Sequence, residues 1–170
     1  GAGKSALTEV YDLQTGAWVA GITGTLHFAR SHFGCVAAEG KVWVFGGENG
    51  VGNYEDTVEV YDPAADGWTL LVTPMPYRLK SPTALFESGR FRVCGGETPW
   101  PPPSPTGVQA TGLILVYDTD LDAWSLSDAT LPYAVSSMAG WCGLASWSNR
   151  GQTESDEFAF LLGGEDAGAL

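Results

Sequence analysis

Short apolar runs, separated by glycine-bearing turns and polar loops, follow one another along the chain. Runs of this kind, bounded by turn residues, are typical of β-strands joined as antiparallel hairpins. Residues 41–68 show the fullest version: an apolar strand that ends in two glycines, a loop, a strand that ends in Val-Tyr-Asp, a tight turn and a tryptophan. The pattern predicts an all-β chain.

Parts of this unit recur on both sides of it, at intervals of about 50 residues. A tryptophan follows the tyrosine of each Tyr-Asp pair seven positions later, and each diglycine that closes a strand is followed by glutamate. The residues that carry the complete and later copies are Gly46, Gly47, Tyr61, Trp68, Gly95, Gly96, Tyr117, Trp124, Gly163 and Gly164. This combination resembles the kelch motif, which forms one blade of a β-propeller. The resemblance covers nearly the whole chain and implies antiparallel four-stranded blades.

Two repeats are complete enough to predict four strands each. Their expected positions are 32–38, 41–45, 58–61 and 68–72, and then 83–86, 91–94, 113–117 and 124–126. Before them, residues 1–18 match the second half of a blade, and residues 19–30 indicate a loop. After them, strands are expected near 140–146 and 158–162, with a polar turn at 148–157.

The repeats divide the chain into half blades at residues 1–24 and 131–170 and full blades at 25–75 and 76–130. The total is about three blade equivalents, whereas propellers typically close with about four to eight. We therefore expect an incomplete ring that is a fragment of a longer propeller. Because the two half blades are complementary, two copies could also associate to complete a ring of about six blades.

The recurring glycines and aromatic residues are predicted to serve the fold rather than recognition. Gly46 and Gly47 permit a close approach of neighbouring blades and a positive φ. Tyr61 and Trp68 fall on adjacent strands across a hairpin turn, where they can pack as wedges between blades. The same roles are predicted for their copies.

Two departures from the repeat distinguish this chain. A proline-rich insertion follows Gly96 and begins at Trp100; because a proline run cannot join a β-ladder, this loop should project. Arg92 occupies the strand position at which other copies carry Trp43 and Phe160. A buried charge there would need a partner.

The kelch resemblance implies that a partner binds to the loops that join strands two to three and strands four to one. Loops on a rigid scaffold often carry binding groups, and arginine and aromatic residues are frequent hot spots. The residues predicted to project from this face are Arg30, Asn49, Tyr54, Tyr77, Arg78, Trp100 and Tyr133. Tyr77 and Tyr133 each follow a proline at the same distance from a tryptophan, so a structural role is the alternative for both.

Acidic residues outnumber basic residues by 20 to 8, which gives a formal charge of −12. A protein that binds nucleic acid or an anionic membrane surface needs a basic face. Because this chain is acidic, neither partner is predicted. The predicted partner is another protein of unknown identity, and self-association is a second hypothesis.

No catalytic residue, metal site or cofactor is predicted. The three cysteines lack metal-ligand spacing and indicate buried thiols, which favours a reducing, cytoplasmic compartment. The recurring Glu48, Glu97 and Glu165 could ring a channel mouth and hold a cation, although bonding to nearby backbone is the commoner role. Two alternatives to an interaction scaffold stay open: part of a kelch enzyme similar to galactose oxidase, with catalytic groups in other blades, and a purely structural segment.

Overall fold

The computed structural model describes residues 3–99, 109–149 and 152–166. Within these ranges the regular elements are β-strands, as predicted, and no helix is long and apolar enough to cross a membrane. In chain order the strands are β1 (Ser5–Leu7), β2 (Tyr11–Asp12), β3 (Ala17–Trp18), β4 (Thr25–Ser31), β5 (Gly34–Ala38), β6 (Lys41–Phe45), β7 (Glu48–Asn49), β8 (Val58–Asp62), β9 (Gly67–Leu70), β10 (Thr83–Glu87), β11 (Arg90–Cys94), β12 (Glu97–Thr98), β13 (Gln109–Ala110), β14 (Ile114–Asp118), β15 (Ala123–Leu126), β16 (Val135–Ser136), β17 (Ala139–Asn149), β18 (Gln152–Leu162) and β19 (Glu165–Asp166).

Two four-stranded antiparallel sheets form the centre of the structure. The first has the order β5-β6-β8-β9, and the second has the order β10-β11-β14-β15. Each is a meander of short strands, which is the form of a propeller blade. The strand positions predicted from the repeats overlap every strand of both sheets.

An aromatic cluster between the two sheets forms the core. Phe91 on β11 is fully buried, and its ring centroid lies 4.4 Å from that of Trp43 and 5.3 Å from that of Phe45, both on β6. The rings of Phe86 and Tyr117 lie 4.6 Å and 6.4 Å from Phe91. Tilted pairs at these separations suit the aromatic quadrupole. The cluster therefore fixes one blade against the other.

The repeated tyrosine and tryptophan pack against each other within each blade. Tyr61 pairs with Trp68 across β8 and β9, and Tyr117 pairs with Trp124 across β14 and β15. The ring centroids are 5.3 Å apart in the first pair and 5.0 Å apart in the second. Each tryptophan also donates its Nε1–H to a residue of an earlier segment. The pair therefore ties the outer strand to the chain that precedes its blade.

In each complete blade, the first glycine of the diglycine lies where the link to the next blade approaches closely. A Cβ on Gly46 would lie 2.4 Å from the Leu79 carbonyl oxygen, and a Cβ on Gly95 would lie 2.5 Å from that of Val135. Both glycines have a positive φ, 62° and 64° respectively. Gly163 has a similar φ of 70°, but no described heavy atom outside its chain neighbours lies within 4 Å of its Cβ position. Crowding at the blade contact thus adds to the conformational demand for glycine.

We expect Gly46→Ala to destabilise the fold more than Gly163→Ala does. Both substitutions place a side chain at a left-handed φ, which costs about 1–2 kcal/mol. Gly46→Ala must also displace the Leu79 carbonyl group, and overpacking of this kind costs a further ~1–3 kcal/mol. The free energies of unfolding of the two variants in urea measure the difference. Equal losses would contradict the close approach at Gly46.

Two predictions about the strands are wrong. Residues 19–30 do not form one loop, because β4 pairs with β1 on one side and with β7 on the other. Residues 148–157 do not form a turn, because β17 and β18 pair as far as Asn149 and Gln152. Main-chain hydrogen bonds hold a ladder whatever its side chains are, so polarity alone did not mark the end of this hairpin.

The structure also bears on the predictions for Arg92, the cysteines and the proline-rich insertion. Arg92 is half-buried, and its guanidinium forms an ion pair with Glu87 across the β10–β11 hairpin. Cys94 is buried as predicted, but Cys35 is exposed. Trp100 and the prolines that follow it lie outside the described residues.

Candidate binding face

The loops at the diglycine end of the two sheets form a surface, here called the loop face, that comprises residues 30–33, 46–57, 73–82, 95–99, 109–113 and 127–138. Equivalent backbone bonds hold each link against the blade before it. The Leu79 N–H donates to the Glu55 carbonyl at 3.1 Å, and the Val135 N–H donates to the Thr111 carbonyl at 3.4 Å. These bonds fix the loops on the sheets.

The glutamate after each diglycine pairs with the end of the link that leads into the same blade. The pairs are Ser31 with Glu48, Lys80 with Glu97, and Ser136 with Glu165. Because this bridge repeats from blade to blade, the glutamates occupy equivalent positions in the repeat.

Two of these glutamates belong to a chain of charged groups that crosses from one blade to the next. The Lys80 Nζ lies 3.2 Å from Glu48 Oε2 and 3.6 Å from Glu97 Oε2. Lys4 Nζ lies 3.0 Å from Glu48 Oε1, and the Tyr54 hydroxyl donates to Glu97 Oε2 at 2.8 Å. One lysine lies near each carboxylate oxygen of Glu48, and together they offset its negative charge.

The pKa shifts in this cluster favour its present protonation state. Hydrogen bonds from Lys4 and Lys80 lower the pKa of Glu48 below its usual value. Burial raises the pKa of Tyr54, and its hydrogen bond to Glu97 raises it further. Glu48 is therefore a carboxylate and Tyr54 a neutral donor at neutral pH, which keeps the cluster intact.

Arg30 does not project from the loop face, so this part of the prediction needs correction. Its guanidinium is buried and lies 2.6 Å from Glu59 Oε1, and both side chains are 0% exposed. It also donates to the Gly46 carbonyl at 2.8 Å and to the Thr57 hydroxyl at 2.8 Å. Burial lowers the pKa of Arg30, and the Glu59 charge opposes that shift. In this structure Arg30 joins β4 to the first blade.

Asn49 and Tyr54 are half-buried, and both make bonds within the loop face. The Asn49 side chain donates to Glu55 at 2.8 Å, and its carbonyl oxygen accepts the N–H groups of Val51 and Asn53 at 3.0 Å each. The Tyr54 hydroxyl donates to the Glu97 carboxylate, as described above. Both side chains therefore shape the loop around Val51, whose own side chain is exposed.

The other three described candidates differ in exposure. Tyr77 is half-buried and packs against the hydrophobic core, which agrees with the structural alternative for this residue. The Arg78 side chain is 57% exposed, with its Nε 3.4 Å from Asp56. Tyr133, at the repeat position of Tyr77, is 70% exposed. Arg78 and Tyr133 are the candidates that the structure leaves accessible.

Sequence reasoning missed four residues that the structure makes important: Lys4, His27, Glu59 and Lys80. Glu59 lies between two valines on β8, so the alternation alone suggested an outward polar residue. Its partners are 29 or more residues away along the chain. Arg30 and His27 lie in residues 19–30, which the pattern predicted to be a loop, so no local signal in the sequence marked them as partners of Glu59.

The described residues contain no group of three or more His, Cys, Asp or Glu that could hold a metal ion. Lys80 lies between Glu48 and Glu97 and supplies the positive charge that a cation would bring to this pair. In the described part of the chain, these glutamates serve as ion-pair partners.

Comparison with known proteins agrees with this architecture. The family model described as the Kelch motif matches residues 29–75, which contain the whole of the first four-stranded sheet. Kelch-like protein 7 of Rattus norvegicus is 30% identical over 129 residues, which cover 76% of this chain. The chain belongs to the kelch-repeat family. Beta-scruin of Limulus polyphemus is 36% identical over 70 residues, which cover 41% of this chain and 8% of the relative.

The kelch assignment accounts for the spacing of the repeat and for both complete blades. Kelch-like protein 7 of Mus musculus matches over the same share of the chain as the rat protein. The matched region spans 20% of the length of either relative. The kelch region of this chain therefore corresponds to a small part of those proteins.

Proposed function

We propose that this kelch chain is a protein-interaction scaffold and that its partner binds to the loop face. The observation that carries the proposal is the combination of fixed loops with two accessible side chains of hot-spot type. Backbone bonds hold the links that carry Arg78 and Tyr133, while both side chains remain mostly exposed. Loops that are already ordered lose little conformational entropy on binding.

The charges of the loop face favour a specific protein contact over a uniformly charged ligand. Glu48, Lys80 and Glu97 place both signs of charge within one cluster. A mixed pattern of this kind selects a partner by complementarity and opposes a mismatched surface. Arg78 and Tyr133 then supply contact area and directed hydrogen bonds.

The test compares the proteins captured by the wild-type chain with those captured by Arg78→Ala/Tyr133→Ala. Loss of two hot-spot side chains should reduce capture of the specific partner by about tenfold or more. Quantitative mass spectrometry of proteins captured from the source cells measures this change. The matched control is Leu121→Ala, because Leu121 is 73% exposed in the turn at the opposite end of the second blade. If the double variant retains every protein that the control retains, the loop face is not the interface.

The enzyme and structural alternatives have no specific observation in their favour among the described residues. Self-association to complete a ring stays a prediction.

A further inference from the structure

A cleft separates the two complete blades at the end opposite the loop face. It encloses about 530 Å³, and Trp43, Trp68 and Tyr117 contribute to its lining. Lys41 and Asp122 are among its polar lining residues. A concave cavity with aromatic walls and a few polar groups is the usual form of a binding site.

The turn between β8 and β9 of the first complete blade carries Asp66, and residues of the same chain bind its carboxylate. There the Asp66 carboxylate accepts bonds from the Thr23 N–H at 2.7 Å, the Thr23 hydroxyl at 3.0 Å and the Gly24 N–H at 3.2 Å. The Tyr61 hydroxyl donates to the same carboxylate at 2.8 Å. A Cβ on Gly24 would lie 2.8 Å from the Asp66 carbonyl oxygen. Asp66 therefore holds a hydroxyl residue that is followed by glycine.

Asp122 occupies in the second complete blade the position that Asp66 occupies in the first. Each follows its blade's tyrosine by five residues, accepts the tyrosine hydroxyl and has a positive φ, 45° for Asp66 and 47° for Asp122. Asp122 differs because Tyr117 is its one hydrogen-bond donor within the described ranges. The link that precedes this blade places Leu71 and Val72 in the lining of the cleft, and Asp122 remains exposed.

Trp43 is part of the lining of this cleft and is 8% exposed. Its Nε1 atom is itself buried, so a ligand would meet the indole ring and not the N–H group. The cleft thus combines a carboxylate with free acceptor capacity and an aromatic lining.

We propose that this cleft binds a loop of a partner protein in which serine or threonine precedes glycine. Two consecutive backbone N–H groups and the hydroxyl of that loop bond the Asp122 carboxylate, as Thr23 and Gly24 bond Asp66. Apolar neighbours of the pair pack on the aromatic lining of the cleft. This second contact is separate from the loop face and does not depend on it.

The probe is a capped peptide with the sequence of residues 20–26, AGITGTL, added to the full chain. We expect the indole N–H resonance of Trp43 to shift in a saturable titration followed by two-dimensional NMR, with Trp43→Phe used to assign the signal. Asp122→Asn should weaken binding by about tenfold or more, because hydrogen bonds to a charged group are lost. A Trp43 resonance that does not move at millimolar peptide would overturn the proposal.

Changes in the peptide keep the test valid even if a protein variant does not fold. A control peptide, AGIVATL, has valine in place of Thr23 and alanine in place of Gly24. It should bind at least about tenfold more weakly. Equal affinity of the two peptides would refute the proposed recognition. The Arg78→Ala/Tyr133→Ala chain should bind the original peptide as the wild type does, which separates this site from the loop face. If the Trp43 resonance shifts with protein concentration and the peptide does not compete, a second copy fills the cleft and the proposal fails.

Discussion

Replacement of Glu59 by alanine is expected to remove about 3–5 kcal/mol from the free energy of unfolding, the usual cost of breaking a buried ion pair. The Glu59 and Arg30 side chains are both 0% exposed and lie 2.6 Å apart. Glu59 Oε2 also accepts the His27 N–H at 2.6 Å. Glu59→Ala leaves the Arg30 charge buried without its carboxylate and leaves a backbone donor unpaired. Urea unfolding followed by tryptophan fluorescence measures the loss.

Three further variants separate the ion pair from a general effect of losing acidic residues. Glu9→Ala removes an exposed carboxylate and should change stability by less than about 0.5 kcal/mol. Arg30→Met/Glu59→Met removes both charges and should recover part of the loss, since no charge remains unpaired. Glu59→Gln keeps an acceptor for the His27 N–H and should lose less than Glu59→Ala. A loss below about 1 kcal/mol for Glu59→Ala would contradict the buried pair.

Replacement of Phe91 by alanine is expected to cost about 3–5 kcal/mol, the usual effect of removing a buried aromatic ring. Phe91 is 0% exposed and lies between the two blades. Its ring contacts rings on its own blade and on β6 of the other. The cavity would therefore open where the blades meet, and both sheets would lose packing. Calorimetric or urea unfolding should show one transition at lower stability.

Phe28 is the matched control for Phe91, because it is also a phenylalanine on a strand but is 42% exposed. Phe28→Ala should cost less than about 1.5 kcal/mol, since much of its surface is already in water. A similar loss for both variants would show that the cluster around Phe91 does not hold the blades together. Separate transitions for the two sheets in Phe91→Ala would instead show that this ring is the main contact between them.

The strands of the complete blades could be predicted because their signals are local. The diglycine after Phe45 and the Tyr-Asp turn after Val60 mark strand ends within a few residues. Strand β4 could not be predicted in this way. Its pairing partners, Ser5–Leu7 and Glu48–Asn49, lie on both sides of it in sequence, so only the folded chain brings them together.

The candidate site shows the same division between local and distant information. Tyr77 and Tyr133 occupy the same position of the repeat and each follows a proline, yet the first packs on the core and the second is exposed. Arginine is usually exposed at a protein surface, but Arg30 is buried and forms an ion pair with Glu59. Residue type predicted which side chains could bind a partner, and neighbouring blades decided which of them remain accessible.

By itself the sequence determined the all-β class, the kelch repeat and the places of the strands in both complete blades, because turns, diglycines and paired aromatics act over short distances. Tertiary structure alone decided that Arg30 is internal, that Lys80 joins two glutamates, and that Asp66 is covered while Asp122 remains open. These features depend on how one blade lies against the next. The repeat specifies each blade, and the contacts between blades, made by residues far apart in the chain, specify the surfaces.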